Sequence, residues 1–358
     1  MQRTAKAPER TIGLDVSDRT SHLCVLDGAG EVVEETRVPT TSAGLSAGFG
    51  RRPPTRVVLE VGPHSPWITR LLQRLGHDVI VANPRKLRFI YQNDRKSDRA
   101  DAEYLARVGR LDPTLLAPVQ HRGAEAQADL AVIRSRSGLV EARTALINHV
   151  RSSVKAVGSR LPACSTESFH WKVEDQVPEE LQPALIPVID TIAELTARIR
   201  EMERWLDELA NTVYPETALL TQVRGVGTLT ALAYMLTLEA PERFPDSRAV
   251  GPYLGLVPRR HDSGDSSPEL STTKAGDRLL RTLLVQSAHY ILGPFGPDTD
   301  LRRWGLRLAE RGGQAAKQRA VVAVARKLAV LLHRLWLTGE VYQPLRNAER
   351  EAREEAAA

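Results

Sequence analysis

The stretch Thr11-Ile12-Gly13-Leu14-Asp15-Val16-Ser17, continued by Ser21-His22-Leu23-Cys24-Val25-Leu26-Asp27 and by residues 31–38, decides how the chain folds. The first two runs are apolar and of strand length. Asp27-Gly28-Ala29-Gly30 between the second and third is a tight turn, so 11–17, 21–27 and 31–38 read as a three-strand meander. A carboxylate, Asp15, closes the first run. A charge so placed is costly unless it meets a cavity or a cation.

Working outward, a short helix is expected near 42–49, and Arg56-Val57-Val58-Leu59-Glu60 reads as a buried strand stopped by Gly62-Pro63. A helix over 66–75 and a second parallel strand over 78–82 follow. Asn83-Pro84 then opens another helical stretch. A meander followed by strand–helix–strand units is the ribonuclease H-like pattern, placed here at 8–118.

Beyond it, Leu130, Ile133, Ser137, Val140, Thr144 and Ile147 recur by threes and fours. So do Ile192, Leu195, Ile199, Met202, Leu206, Leu209 and Val213. Both are heptad spacings. The segment 158–187, with its four prolines, should break the helix between them. These features predict a helical coiled-coil arm over 119–215, suited either to oligomerisation or to an ordinary bundle. Residues 216–345 read as a mainly helical C-terminal domain, with late helices near 276–292 and 314–337. The charged tail 346–358 reads as disordered. The fold class is therefore α/β plus α.

The 358 residues carry a net charge of +5, and only eight of the 49 basic residues are lysine. Arginine suits bidentate phosphate binding, although a GC-rich genome yields the same bias. Arg134, Arg136, Arg143, Arg151 and Lys155 either track phosphates or line a solvated helix face. The two cysteines, Cys24 and Cys164, support neither a disulfide framework nor a zinc site. No apolar run has membrane-spanning length and no signal peptide is evident, so a cytoplasmic protein without a membrane is expected.

Asp15 and Glu60 end two central strands. If those strands are parallel neighbours, their carboxylates meet at one sheet edge, where open α/β sheets bind ligands. Asp98 and Asp101 in Lys-Ser-Asp-Arg-Ala-Asp lie three apart, on one helix face. Their bland alternative is capping by Asp98, with Asp101 in a favourable first turn. Carboxylates in such a set can hold the magnesium ions of phosphodiester chemistry. Lys96 can hold phosphate; Arg99 reads better as surface charge. His64 reads better as a helix-start residue than as a proton shuttle.

Val223-Arg224-Gly225-Val226-Gly227-Thr228 looks like a helix–hairpin–helix turn, whose N–H groups can meet a phosphate. A plain tight turn is equally compatible. Gly255-Leu256-Val257-Pro258-Arg259-Arg260-His261-Asp262-Ser263-Gly264 leads, eleven residues on from the serine, to Lys274-Ala275-Gly276-Asp277. Arg259, Arg260 and Lys274 can neutralise phosphate, while His261, Asp262 and Ser263 read on chemistry alone as turn residues.

Taken together, these motifs resemble the insertion-sequence-110 family of DEDD transposases, whose N-terminal domain is similar to Holliday-junction resolvases of the RuvC type. The residues that carry the resemblance are 12–15, 59–62, 83–86, 95–103, 224–227, 255–260, 262–264 and 273–277. It implies that Asp15, Glu60, Asp98 and Asp101 bind magnesium, two ions being expected and manganese able to substitute. It also implies that Ser263 is the nucleophile of a covalent phosphoserine link to DNA. Implied partners are donor and target DNA, a structured bridge RNA that pairs with both, and further copies of the chain in a dimer or tetramer. The sequence departs from the family at Val61-Gly62-Pro63-His64 and in the acidic Asp265 and Glu269 of the serine loop. Rival readings are a junction nuclease using water, an actin-like ATPase and a non-catalytic RNA-binding protein.

Overall fold

The computed structural model describes residues 9–85, 97–260 and 270–347, and within the first of its two units, Met1–Arg122, the expected meander is present. β1 (Thr11–Asp15), β2 (Thr20–Leu26), β3 (Val32–Pro39), β4 (Arg56–Glu60) and β5 (Asp78–Ala82) form one mixed sheet in the order β3-β2-β1-β4-β5. The β1–β2 and β2–β3 pairs are antiparallel; β1–β4 and β4–β5 are parallel. β1 ends at Asp15, two residues earlier than the apolar run suggested.

Side chains alternate across the sheet. Ile12, Leu14, Leu23, Val25, Val57 and Leu59 bury one face against α1 (Ser42–Phe49) and α2 (Ser65–Arg74), through Leu45, Phe49, Ile68 and Leu72. On the other face α3 (Asp98–Leu111) covers Cys24, Leu26 and Val58 with Ala102, Leu105 and Ala106. The sheet is thus sandwiched between helices. α3 comes so close to β1 that a Cβ on Gly13 would stand 1.8 Å from the Ala102 carbonyl oxygen. Glycine and alanine at this crossing allow backbone to lie on backbone. The helical stretch expected from Asn83-Pro84 falls largely on residues 86–96, outside the described residues; 84–85 form a turn.

The second unit is Gly123–Ala358. α4 (Ala124–Ala156) and α6 (Gln182–Thr212) pack as an antiparallel pair. Leu130 and Ile133 near the start of α4 share a core with Leu206 and Ala210 near the end of α6. Ile147, Val150 and Val154 meet Leu185, Ile189 and Ile192 at the opposite end, where α5 (Phe169–Val173) inserts Phe169 and Val173. Midway the apolar seam gives way to Arg143, which donates to Thr196 Oγ1 at 3.3 Å. The proline-rich break is shorter than expected. α6 begins at Gln182 with Pro183 in its first turn and carries Pro187 inside. So near a helix start, a missing N–H removes only one ladder bond.

α7 (Thr217–Thr221), α8 (Thr228–Leu238), α9 (Val250–Tyr253), α10 (Arg278–Leu292), α11 (Asp300–Ala309) and α12 (Gly313–Thr338) complete the unit. α8 is its axis: residues 230–238 are all buried, and Tyr234 donates to the Ala329 carbonyl at 2.6 Å. α11 escaped sequence reading because it is arginine-rich and buries only Leu301 and Gly305. Among the described residues no helix is long and apolar enough to cross a membrane. Most of the tail, 348–358, lies outside the described residues.

Candidate active site

In the first unit the parallel register pairs Leu14 with Leu59. One residue further on each strand stand Asp15 and Glu60, at the C-terminal edge of neighbouring parallel strands. Alternation from Gly13, which α3 touches, and from Val58, which packs with Leu105, puts both carboxylates on the α3 face. α3 runs back along β1, since Ala102 meets Gly13 while Gly109 meets Val58 and Arg110 reaches the Gly28 carbonyl at the far turn. Its first turn, with Asp98 and Asp101, therefore overhangs the same edge.

The cap of α3 removes an ambiguity. Ser97 is the N-cap, and its hydroxyl accepts from the Ala100 N–H at 3.2 Å. Asp98 is thus not required for capping. It reaches instead towards His22, whose Nε2 is 3.6 Å from Asp98 Oδ2. His22 is the register partner of Asp15, so the imidazole that faces Asp98 rises on the same sheet face as Asp15. The four predicted carboxylates share one edge and one face. They are not drawn into a tight cluster: among the described residues no three His, Cys, Asp or Glu side chains come together as a metal site. The all-oxygen donor set nonetheless fits a hard divalent cation.

His64 is the N-cap residue of α2. Trp67 Nε1–H donates to His64 Nδ1 at 3.1 Å, so Nε2 carries the proton and donates to Asp18 at 3.2 Å. Lys96, the remaining candidate of this unit, lies outside the described residues.

The second unit gathers Arg259 and Lys274 in one neck, with Arg260 at its end. Arg259 N donates to the Ser271 carbonyl at 3.0 Å, Thr273 N to Val257 at 2.9 Å and Lys274 N to Gly255 at 3.2 Å. This short antiparallel ladder is the base from which residues 260–270 emerge. His261, Asp262 and Ser263, with Asp265 and Glu269, lie outside the described residues. The neck is tight. Gly255 has φ +68° and a Cβ there would lie 2.2 Å from Ala275 N; Gly276 has φ +74° and its Cβ would lie 2.2 Å from the Tyr253 carbonyl oxygen. The two glycine motifs read along the chain are thus the two sides of one crossing. Arg281 donates to the Leu254 carbonyl at 3.1 Å and to that of Ala275 at 2.7 Å. Asp277 caps α10 through the Leu280 N–H and pairs with Arg134 at 2.7 Å.

Gly225 is also held in the left-handed region, at φ +98°, with Tyr290 and Ile291 of α10 against its α-carbon. Gly227 is the N-cap of α8. Arg224 is exposed beside it. This turn lies near the end of α10 and the neck near its start, roughly 15–20 Å apart along the helix. The two predicted phosphate-binding sets of this unit are therefore separate.

The arginine stripe on α4 is mostly spent within the fold. Arg134 pairs with Asp277, Arg136 with Glu203, Arg143 bonds Thr196, and Arg151 donates to the Pro162 carbonyl.

Two family models match the chain. One, described as a DEDD transposase, covers residues 12–158, and the other, of the transposase IS116/IS110/IS902 family, covers 217–298. The transposase for insertion sequence element IS1328 of Yersinia enterocolitica is 30% identical over 288 residues, 77% of this chain and 82% of the relative. The chain belongs to the IS110 family of insertion-sequence transposases. Similar over more of its length are the transposase for IS1111A of Coxiella burnetii, 29% identical over 93% of this chain and 91% of the relative, and a probable family 20 transposase of Pseudomonas aeruginosa, 28% identical over 93% and 98%. The transposase is accordingly an enzyme that cuts and rejoins DNA. The first family match contains the whole carboxylate edge, and the second contains the glycine turn and the neck.

Three residues of the transposase's candidate sites were missed in the sequence: His22, Arg281, and Glu35, which pairs with Arg99 in the first turn of α3. His22 was within reach, because a β1–β2 hairpin closed over residues 16–19 sets it opposite Asp15. Nothing along the chain marks Glu35 or Arg281.

Proposed function

We propose that the transposase cleaves and exchanges DNA strands at a ribonuclease H-like carboxylate edge that works with a serine nucleophile. The observation that carries this is the placement of Asp15 and Glu60 side by side at the ends of β1 and β4, under the first turn of α3. Asp15, Glu60, Asp98 and Asp101 would hold magnesium there, which supplies charge stabilisation to the reacting phosphate. Asp15 and Glu60 ride on β1 and β4, neighbouring parallel strands whose other residues are mostly buried. Asp98 and Asp101 ride on a helix seated backbone-to-backbone on β1. Such mounting keeps four like charges at one edge and favours cation binding over mutual repulsion.

Ser263 is the proposed nucleophile. Its oxygen attacks the phosphorus, a phosphoserine bond forms, and the released DNA oxygen leaves as a hydroxyl. A hydroxyl of the exchanged strand then attacks the same phosphorus and restores the serine. The number of phosphodiester bonds is conserved, so no nucleotide cofactor is consumed. The neck built on Gly255, Gly276 and Arg281 supports this role by fixing both ends of the segment that bears Ser263.

We further propose that a bridge RNA supplies sequence choice by base pairing while the protein contacts backbone, as in other RNA-guided systems. Arg224, Arg259, Arg260 and Lys274, with Gly225 and Gly227, are the candidate phosphate contacts. The α4–α6 pair is the proposed coiled-coil arm for assembly into a dimer or tetramer.

The test is strand exchange with donor and target DNA, bridge RNA and magnesium, read on a denaturing gel. Wild-type protein should leave a protein–DNA adduct, and Ser263→Ala should abolish both adduct and joined product. Cutting without an adduct would make water the nucleophile. Unchanged product from Ser263→Ala would remove the serine from the reaction.

A further inference from the structure

The first turn of α3 is held to the sheet in two ways. One is the seat on Gly13, which fixes the helix axis. The other is an ion pair at the turn itself. Arg99 Nε donates to Glu35 Oε1 at 2.7 Å, and Arg99 Nη2 lies 2.6 Å from Glu35 Oε2. Two donors on one guanidinium edge meet the two carboxylate oxygens, a fork-to-fork geometry that fixes orientation as well as distance. Glu35 is the register partner of Cys24, and Cys24 packs directly beneath Ala102 and Ala106. The carboxylate therefore rises on the α3 face, two strands away from Asp15.

The pair is badly placed to serve stability. The Arg99 side chain is 72% exposed, and exposed pairs contribute little to folding. It is well placed to serve position. Arg99 sits between Asp98 and Asp101 in sequence, so a torque on its side chain is a torque on the turn that carries both. Asp98 itself is 62% exposed and, among the described residues, pairs with His22 at 3.6 Å. Cation binding at this edge requires two mutually repelling carboxylates to stay aimed at Asp15 and Glu60.

We infer that the Arg99–Glu35 ion pair is a positioning clamp that holds the first turn of α3, and with it Asp98 and Asp101, in register with the carboxylate edge for cation binding. The inference rests on the magnesium-binding reading above. Neither residue touches the reacting atoms.

The sign of the mutational effect separates a clamp from a simple charge effect. Removing positive Arg99 by electrostatics alone would tighten cation binding, and removing negative Glu35 would weaken it. A clamp is lost either way, so both variants weaken it. Manganese binding to the full-length, metal-free protein reads this directly, by calorimetry and without turnover. Arg99→Gln and Glu35→Gln should each raise the manganese dissociation constant by about two- to five-fold, the range an exposed but well-oriented pair can transmit. The doubly exchanged variant, Arg99→Glu with Glu35→Arg, should return to within about two-fold of wild type, because the pair is remade in reverse. The thermal midpoint should stay close to wild type throughout. Opposite shifts from the two single variants would overturn the clamp, as would no shift in either, or weakening that the exchange fails to repair. Asp98→Asn tests the underlying reading on its own: if it binds manganese as wild type does, the cation site is wrong, whatever Arg99 does.

Discussion

Replacing Gly13 with alanine is the sharpest perturbation of the carboxylate edge, although residue 13 touches no substrate. The new methyl carbon would stand 1.8 Å from Ala102 O and 2.7 Å from Ala106 N, both backbone atoms of α3. No rotamer change relieves a backbone clash, so the helix must lift by about 1.6 Å to reach the 3.4 Å at which ordinary contact begins. Overpacking of this kind costs about 1–3 kcal/mol, and a backbone obstacle belongs at the upper end. The displaced helix takes Asp98 and Asp101 with it. Misplacing a reacting group by about 1 Å can cost on the order of 100-fold in rate. Gly13→Ala should therefore fold, lose about 2–3 kcal/mol in denaturant unfolding, and cleave DNA about 100-fold more slowly. Gly62→Ala is the control, a glycine just beyond Glu60 with nothing within 4 Å of its added carbon. Gly109→Ala should fall between them, because its obstacle at 2.3 Å is a Val58 methyl group that can turn aside. A Gly13→Ala protein with wild-type stability and cleavage rate would show that α3 does not rest on β1, and the geometry of the edge would go with it.

The neck of the second unit gives a parallel case. Gly255→Ala must accept φ +68° and a contact 2.2 Å from Ala275 N, so it should lose about 2 kcal/mol or more in stability and form little covalent adduct on a denaturing gel; full adduct would detach the neck from catalysis. In contrast, Gly138 lies exposed in the middle of α4 with nothing within 4 Å. Gly138→Ala should raise unfolding stability by about 0.5–1 kcal/mol through helix propensity. A loss of self-association in the same variant, read by sedimentation, would instead mean that another copy packs against that glycine. The pH dependence of stability should carry a signature of His170. Burial, then Arg200 and Arg143 against the opposing Glu174, hold its imidazole below the ordinary 6.5. The unfolded chain therefore binds a proton that the folded one resists, so stability is full above pH 6.5 and falls as the solution is acidified through that value. His170→Gln should flatten this acid limb in urea melts taken between pH 7 and 5; an unchanged slope would place the titration elsewhere.

Local pattern carried much of the first unit. Strands end where apolar alternation ends, so β2 to β5 fell within a residue or so of their expected bounds. The carboxylates were legible for the same reason, since Asp15 and Glu60 terminate runs that must be buried. The Gly158–Pro187 break was misjudged because propensity counts prolines without knowing how near each lies to a helix start. The α4 arginines stayed open between two readings because a charge stripe looks the same whether it faces solvent or finds Glu203, Thr196 and Asp277 in the folded chain.

The amino-acid order by itself determined the strands, the acidic residues that close them, and the family to which the chain belongs. These depend on spacing along one element, where periods of two and of three to four are properties of the chain alone. Only the tertiary structure decided which carboxylates share an edge, that Ser97 rather than Asp98 caps α3, and that Glu35 grips Arg99 from 64 residues away. It also made one neck of Gly255 and Gly276, which lie in separate motifs along the chain. Contacts of that kind arise from backbone approach and sheet register, which no local sequence signal encodes.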